Sequence, residues 1–412
     1  MIRLLSPALV PLVVVATTIS ASHGGSEVVP PDRIGRVHRV LDESMGVIEG
    51  DPLLIDESTV SVYEEADDQR VFRPIDDVVL VIVGPGHARE IVVSDRMAAA
   101  RAGDDAPIAS PYLELVDGQR FPGSLHPGAD GEPVWRSAWV RDQDFDLDRI
   151  RAIRLARGVQ VPPAVDADVL VLTNGDRLEG LVLEMGSRVQ IEVERSDRDP
   201  ETIGVPIDRV AAVSLVNPIQ PRRGSMTWLR GGHRIGSESI RIGDDGYLRL
   251  LNPVVGGGPV EIPLEFLMGV AMDAGRIVSV SDLDIEVEPG PAKGIRPWIP
   301  EVSTAVGHHP IDAAPLRLDG PLAATITLPN PGVRFIATLE RPIDAGAGSC
   351  LVRVLDADEV VEEIVVDPSD PLHRIDTSIS SDRITIEIDD YGDGPFNDSV
   401  VLREAFVVGP RN

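Results

Sequence analysis

The densest group of possible metal ligands in the sequence is the acidic stretch 389–398 (DDYGDGPFND). Calcium binds roughly six to eight oxygen atoms, which carboxylates, an amide and turn carbonyls can supply. The stretch is not an EF-hand, because Tyr391 and Val400 stand where that loop needs acids. A solvated turn between two strands is the alternative, since Gly and Asp favour turns. The candidate calcium ligands are Asp389, Asp390, Asp393, Asn397 and Asp398.

Aromatic side chains in loops are the second candidate chemistry, because sugar rings stack against exposed aromatic faces. Aromatic residues make up 4% of the chain, so there are few of them to consider. Tyr391 and Phe396 lie within the acidic stretch, and Trp298 lies in a Pro/Gly-rich segment. These residues predict a shallow glycan site. The alternative is that Tyr391 and Phe396 cover the edge of a sheet.

Three further residues invite a functional interpretation. Trp135 and Trp139 are four residues apart on a strand-like run and form either a partner-binding patch or, as the pattern favours, half-buried packing. Cys350 is the only cysteine, so no intramolecular disulfide forms. Its apolar, strand-like surroundings predict a buried, inert thiol.

Sequence motifs for catalysis are absent. The chain has no His-Glu-x-x-His, Gly-x-Ser-x-Gly or P-loop motif, and its Gly84-Pro-Gly86 lacks the third glycine of a dinucleotide fingerprint. The pair His308-His309 has no cysteine or acid at metal-ligand spacing. We therefore predict a non-catalytic protein.

The charge balance argues against two classes of partner. With 38 basic and 67 acidic residues, the 412-residue chain has a formal net charge of −29. Such a field repels nucleic-acid phosphates and anionic membrane surfaces. We predict that neither is a partner.

Residues 1–22 have the form of a secretory signal. Arg3 provides the positive end, Leu4–Ala16 form a short apolar core, and Ser22 suits a peptidase. The core is short and interrupted by Pro7 and Pro11, which disfavours a membrane span. We expect an exported protein of the periplasm, cell surface or extracellular space, with no membrane span after cleavage. An uncleaved anchor is the alternative.

The phrase from Asn174 to Gly180 (NGDRLEG) lies between two apolar runs and predicts a β-hairpin with a type I′ turn. Similar phrases recur about 57 residues before and after it, with turn glycines at Gly118 and at Gly231 or Gly232. A second glycine follows each turn, where the strand must bend sharply to close a small barrel. These second glycines are Gly123, Gly180 and Gly236.

Each repeat ends with a second shared phrase: LDRI at 147–150, IDRV at 207–210 and LEFL at 264–267. The acidic residue of the phrase is expected to cap a single 3₁₀ turn before the last strand. IDDV at 75–78 matches the same ending, so an earlier segment is interpreted as a degenerate fourth copy. Units of this length predict small SH3-like or Sm-like β-barrels.

From residue 316 onward, short apolar strands separated by turn residues predict a β-sandwich. The expected fold class is therefore all-β, with tandem small barrels followed by a sandwich. The predicted divisions are a signal (1–22), a leading segment (33–83), a linker with room for one short helix (84–110), a first repeat (111–157), a second repeat (166–217), a third repeat (225–274) and the sandwich (278–412).

The C-terminal part resembles the NPCBM family, a carbohydrate-binding module found beside glycoside hydrolases. The resemblance rests on VSDL (280–283), PLRLDG (315–320), RFIATL (334–339), VRV (352–354) and ITIEIDDYGDG (384–394), in this order. The barrels ahead of it are similar to those of exported planctomycete-type proteins. The family implies a jelly-roll-like β-sandwich and a glycan ligand. This sequence departs from it after the acidic stretch, where Asp398-Ser-Val-Val-Leu402 replaces Asp-His-x-Asp-Trp.

Two functions remain open from the sequence. The first is a non-catalytic binding protein that recognises a polysaccharide or another glycan through the sandwich. The second is a structural or protein-interaction scaffold that binds surface or periplasmic proteins and has no sugar site.

Overall fold

The computed structural model describes residues 38–42, 47–50, 53–56, 59–64, 69–74, 78–83, 110–128, 133–140, 143–144, 146–195, 198–253, 258–290, 301–304, 314–342, 348–389, 391 and 398–410. Within these ranges the regular elements are β-strands and short 3₁₀ turns. The all-β fold class is thus confirmed. No helix in the described part of the chain is long and apolar enough to cross a membrane. The predicted signal and the linker helix lie outside these ranges.

Among the described residues, six strands form the leading segment and five form each repeat. The leading segment holds β1 His38–Asp42, β2 Val47–Gly50, β3 Leu53–Ile55, β4 Thr59–Glu64, β5 Gln69–Pro74 and β6 Val78–Val83. The first repeat holds β7 Tyr112–Leu115, β8 Arg120–Pro127, β9 Pro133–Ser137, β10 Gln143–Asp144 and β11 Ile150–Arg154. The second holds β12 Asp168–Leu172, β13 Arg177–Met185, β14 Arg188–Arg195, β15 Arg198–Pro206 and β16 Val210–Ser214. The third holds β17 Ser225–Leu229, β18 His233–Ile242, β19 Tyr247–Pro253, β20 Val260–Pro263 and β21 Leu267–Ala271.

The hairpin tip has the same geometry in the first two repeats, whereas in the third both Gly231 and Gly232 are left-handed, with φ of +80° and +84°. In the second repeat the Gly175 N–H donates to the Leu172 carbonyl at 2.9 Å, and the Leu172 N–H donates to the Asp176 carbonyl at 2.8 Å. Gly175 has φ of +91°, whereas Asn174 is not left-handed. The predicted type I′ turn is therefore wrong: a type I turn is followed by one left-handed glycine. The bond from glycine recurs between Gly118 and Leu115 and between Gly232 and Leu229.

A single 3₁₀ turn precedes the last strand of each repeat, as predicted, at Leu147–Arg149, Ile207–Arg209 and Leu264–Phe266. The capping role assigned to its acidic residue is wrong, because that residue lies inside the turn. The N-cap positions are Asp146, Pro206 and Pro263. The last carbonyl of each turn accepts the N–H that follows the hairpin strand, which ties the two shared phrases together. These bonds run from Val116 to Arg149, Thr173 to Arg209 and Arg230 to Phe266.

The second glycine allows close approach of two backbones in two of the three repeats. A Cβ atom on Gly123 would lie 2.0 Å from the Arg136 carbonyl oxygen, and one on Gly180 would lie 2.1 Å from that of Glu192. Any side chain would force these strands apart. Gly236 makes no such backbone approach, since a Cβ there meets only a side chain, at 3.2 Å. The curvature argument therefore holds for the first two repeats only.

The leading segment and the three repeats are not independent domains, because their last strands pair with each other. In β11 and β16 the central pair is Ile153 opposite Val213, and in β6 and β21 it is Val81 opposite Val270. Each of these residues is the fourth of its strand. Both pairs of units are thus joined by the same local two-fold arrangement. One continuous apolar core runs through all four units.

The first and third repeats also meet through equivalent hairpin positions. Arg120 lies opposite Arg234 where β8 pairs with β18. The Gly236 N–H donates to the Gln119 side-chain oxygen at 2.9 Å, and Ser137 Oγ lies 3.0 Å from His233 Nε2. Gln119 and His233 are both buried. Gln119 of the first repeat and His233 of the third occupy equivalent positions, and each contacts the other repeat.

The C-terminal part forms two facing antiparallel sheets, in agreement with the predicted sandwich. One sheet has the strand order β24, β25, β32, β27, β30, with β22 pairing to β32, and the other has β23, β26, β31, β28, β29. The bounds are β22 Ile277–Ser279, β23 Ile285–Pro289, β24 Glu301–Thr304, β25 Leu316–Asp319, β26 Leu322–Thr327, β27 Val333–Glu340, β28 Cys350–Asp356, β29 Glu359–Val366, β30 Leu372–Ile379, β31 Arg383–Asp389 and β32 Ser399–Val408. Further 3₁₀ turns span Ala274–Arg276 and Val280–Asp282.

The predicted packing roles of Cys350, Trp135 and Trp139 agree with the structure. Cys350 is fully buried in the core between the two sheets. Trp135 is also fully buried and donates its indole N–H to the Phe121 carbonyl at 2.8 Å. Trp139 packs against Phe266 of the third repeat with ring centroids 4.8 Å apart. The two tryptophans therefore serve internal packing and do not form an exposed partner patch.

Candidate functional site

The candidate site is one end of the sandwich, where strands of both sheets start or stop. β25 ends at Asp319, which lies opposite Ser399, the first residue of β32. β31 ends at Asp389, opposite Leu351 near the start of β28. Antiparallel pairing thus brings the ends of strands distant in sequence to one place. We call this region the loop end.

A polar network fixes the backbone at the loop end. Asp319 Oδ1 accepts hydrogen bonds from Ser399 Oγ at 2.5 Å and from Arg317 Nε at 2.9 Å. The Gly320 N–H donates to the Asp398 carbonyl at 2.8 Å. A Cβ on Gly320 would lie 3.0 Å from that same carbonyl oxygen, so the two chains approach closely. The start of β32 is held rigidly against the end of β25.

A charged cluster lies on the outer face of the second sheet, next to this end. Arg353 Nε donates to Glu363 at 2.9 Å, and its Nη1 lies 3.7 Å from both Glu387 and Asp389. The hydrogen bond with Glu363, followed by the nearby carboxylates, raises the pKa of Arg353. The Asp389 side chain is therefore engaged in an ion-pair network with a permanent cation.

Tyr391 is the exposed aromatic residue that the structure describes at the loop end. Its residue surface is 57% exposed, and its backbone is left-handed with φ of +40°. A non-glycine residue in that region costs about 1 kcal/mol or more, and such strain is concentrated at ligand-binding sites. An exposed ring offers a stacking face for a sugar, and the Asp389 carboxylate two residues earlier in the chain can accept hydrogen bonds from hydroxyls.

The other predicted site residues are only partly visible. Asp398 is 1% exposed. Among the described residues, no group of three or more His, Cys, Asp or Glu side chains is placed to hold a metal ion. Five predicted site residues lie outside the described ranges: Trp298, Asp390, Asp393, Phe396 and Asn397. The glycan-site and calcium assignments therefore stay predictions.

The sequence did not identify the Asp319 network or the Arg353 cluster. Asp319 and Ser399 are 80 residues apart, and the hydrogen bond between them depends on which strands become neighbours. The available signal was the alternation of charged and apolar residues in Arg317-Leu-Asp319 and in Arg353-Val354. That alternation places the charges on one face without identifying their partners.

No family model matches this sequence, and no curated protein matches it. Solved structures that resemble the chain include carbohydrate-binding modules of family 51 (CBM51). The CBM51 of GH95 from Clostridium perfringens, in complex with methyl-galactose, is 11% identical with a TM-score of 0.25, covering 32% of this chain and 99% of that chain. The tandem CBM51 modules of Sp3GH98, a family 98 glycoside hydrolase from Streptococcus pneumoniae SP3-BS71, are 10% identical with a TM-score of 0.27, covering 90% and 88%.

A third structure contains the CBM51-2 module, in complex with GlcNAc, and INT domains of ZmpB from Clostridium perfringens. It is 12% identical with a TM-score of 0.26, covering 42% of this chain and 40% of that chain. These structural neighbours are carbohydrate-binding modules, but identities and TM-scores this low do not place the chain in their family. The resemblance to NPCBM modules and SH3-like repeats is not matched by a family model.

Proposed function

We propose that this chain is an exported, non-catalytic binding protein whose sandwich recognises a glycan at its loop end. The observation that carries the proposal is Tyr391, an aromatic ring 57% exposed on a left-handed backbone. Aromatic residues are scarce in this chain, and buried aromatic side chains contribute much to core packing. The exposed Tyr391 side chain makes no such contribution. Burial of that face by a sugar ring would recover the apolar contact.

Export, calcium binding and the lack of catalysis belong to the same proposal. The signal-like residues 1–22 support export, and the absence of catalytic motifs supports a binding role. The proposed calcium ion would be held by the acidic stretch 389–398 and would order the loop that carries Tyr391. Calcium removal should therefore weaken glycan binding.

Affinity electrophoresis of the mature chain against a polysaccharide panel, preceded by a glycan array, tests this proposal. Tyr391→Ala should weaken binding about tenfold, the equivalent of about 1.4 kcal/mol of stacking. The matched control is Tyr247→Ala, because Tyr247 is a 42% exposed tyrosine in the third repeat. Repeating the electrophoresis with a calcium chelator tests whether binding requires calcium. No retardation of the wild type, or equal retardation of both variants, would refute the glycan site.

A scaffold that binds other proteins is the second candidate function, and the second repeat favours it. Leu181 and Leu183 lie on β13 and are 55% and 47% exposed. The first repeat has the polar pair Ser124 and His126 in the corresponding strand, joined at 2.8 Å. Exposed leucines in place of polar residues are typical of a protein-binding surface. This function would be favoured if the wild type bound no sugar on the glycan array but captured a protein in a pull-down that the Leu181→Ser variant failed to capture.

A further inference from the structure

Three apolar side chains of the second repeat lie exposed on strand β13 and beside it. Leu181 and Leu183 are 55% and 47% exposed, and Val216, in the connection to the third repeat, is 42% exposed. The Val182 and Val216 N–H groups donate to the two oxygens of the Asp168 carboxylate, each at 2.8 Å. Val216 is therefore held next to the part of β13 that carries both leucines. We call Leu181, Leu183 and Val216 the apolar patch.

The barrel fold does not require leucines at these two positions of β13. The first repeat has Ser124 and His126 at the equivalent positions. Leu183 is also the extra residue of a β-bulge, because β13 pairs with β14 up to Val182 and again from Glu184. Bulges change the direction of side chains and are common next to functional sites. Exposed apolar side chains that lie together mark a contact surface, whereas isolated ones do not.

Carboxylates flank the leucines of the apolar patch. Leu181 lies directly opposite Glu192 on β14, so their Cβ atoms are about 5 Å apart. Glu179 and Glu184, both exposed, lie on β13 two residues before Leu181 and one residue after Leu183. No ion pair joins these three carboxylates to another residue of the described ranges. The four arginines of β13, β14 and β15 lie at strand ends, against six acidic residues on the same strands. An apolar centre with charged flanks is the usual layout of a protein interface, and here the flanks are negative.

We propose that the apolar patch binds a basic segment of a partner protein. An aliphatic side chain of that segment lies on Leu181 and Leu183, and its lysine or arginine side chains reach the flanking glutamates. This inference rests on the second candidate function, a protein-binding scaffold, and names the chemistry of its partner. A second copy of the chain does not fit, because the glutamates of the two copies would face each other and each chain has a net charge of −29.

Fluorescence anisotropy of the full chain with three labelled heptapeptides tests the proposal. The first peptide alternates lysine with leucine, the second lysine with serine, and the third glutamate with leucine. The lysine–leucine peptide should bind at least tenfold more tightly than either of the others, because it alone carries both the positive charge and the apolar side chains. Added sodium chloride should weaken its binding, since the charges lie at the surface.

Two pairs of variants separate the apolar patch from the rest of the acidic surface. Leu181→Ser, which introduces the residue found at position 124 of the first repeat, should weaken binding of the lysine–leucine peptide about tenfold. Its matched control is Leu372→Ser, because Leu372 is a 58% exposed leucine at the start of β30 in the sandwich. Glu192→Gln should weaken binding about threefold, whereas Glu286→Gln, on exposed β23, should leave it unchanged.

Equal binding of the three peptides, or equal binding to the Leu181→Ser and Leu372→Ser variants, would overturn the proposal. A dimer in sedimentation velocity that Leu181→Ser dissociates would also overturn it, because the patch would then be covered by a second copy. If the patch captures a protein through an acidic segment, the scaffold function stands and this inference is wrong. Tyr391→Ala should leave peptide binding intact, so failure at the glycan site and failure at the apolar patch are distinguishable.

Discussion

At the scale of single residues, two glycines of one hairpin have different physical roles. Gly175 has φ of +91° and open space around its Cα, so its role is purely conformational. Gly180 is not left-handed, but a Cβ atom there would lie 2.1 Å from the Glu192 carbonyl oxygen. The repeated phrase therefore needs its first glycine for the turn and its second for the close approach of two backbones.

Gly180→Ala should destabilise the chain by about 3 kcal/mol, because the strands must separate to accommodate the methyl group. The matched control is Gly186→Ala in the same repeat, where an added Cβ meets nothing within 4 Å. It should be neutral, or stabilising by about 0.5 kcal/mol through the unfolded state. Urea unfolding followed by circular dichroism measures both. Equal midpoints for the two variants would contradict the backbone contact.

At the scale of elements, local features were predictable and their pairing was not. Hairpins, 3₁₀ turns and most sandwich strands follow from spacing within about ten residues. The strand Leu372–Ile379 has a weak apolar alternation and pairs with β27 at the edge of its sheet, so little in the local sequence indicates it. The Gln119–Gly236 contact joins residues 117 apart, and no local pattern indicates such a partner. The loop end was located by its acidic turn, but its hydrogen bonds depend on the same long-range pairing.

Sequence differences at one hairpin position explain which repeats meet. Gln119 and His233 are buried and each reaches into the other repeat, whereas Asp176 at the same position of the second repeat is exposed. The neighbouring 3₁₀ turn ends in Phe266 in the third repeat and in an exposed arginine in the other two, Arg149 and Arg209. The charge of Asp176 therefore keeps the second repeat's tip solvated, while the neutral Gln119 and His233 are buried between the other two repeats.

The contact between the first and third repeats makes stability depend on pH. Burial lowers the pKa of His233 from 6.5 to about 4. Between these values the unfolded chain binds the proton and the folded chain does not, so acidification favours unfolding. The free energy of unfolding should fall by roughly 3 kcal/mol from this residue as the pH drops from 6.5 to 4.

His233→Gln, which introduces the residue found at the equivalent position 119, should remove this part of the pH dependence. Urea unfolding at intervals across that pH range gives the comparison. His126→Gln provides the control, because His126 lies on β8 and contacts Ser124 in its own repeat. That variant should follow the wild-type curve. If His233→Gln and the wild type lose the same stability, His233 is not the titrating group.

At the scale of the whole molecule, the equivalent outer face has a different covering in the second and third repeats. In the second repeat, Val169 and Val171 are covered by the connecting residues Ala156 and Val159. In the third repeat the equivalent Met226 and Trp228 pack against the sandwich. The sandwich residues of this junction include Ile336, Phe406 and Val408. One repeated surface thus serves once for a linker and once for a domain junction.

Trp228 is 5% exposed and is the largest side chain that the third repeat contributes to the junction with the sandwich. Trp228→Ala should remove about 3 kcal/mol or more of packing there without touching either main core. Differential scanning calorimetry should then show two transitions where the wild type shows one. Val171→Ala, at the same position of the second repeat, should lower the melting temperature and keep one transition. A single transition in Trp228→Ala would mean that the reciprocal bonds between Arg276 and Gly409 suffice to couple the two parts.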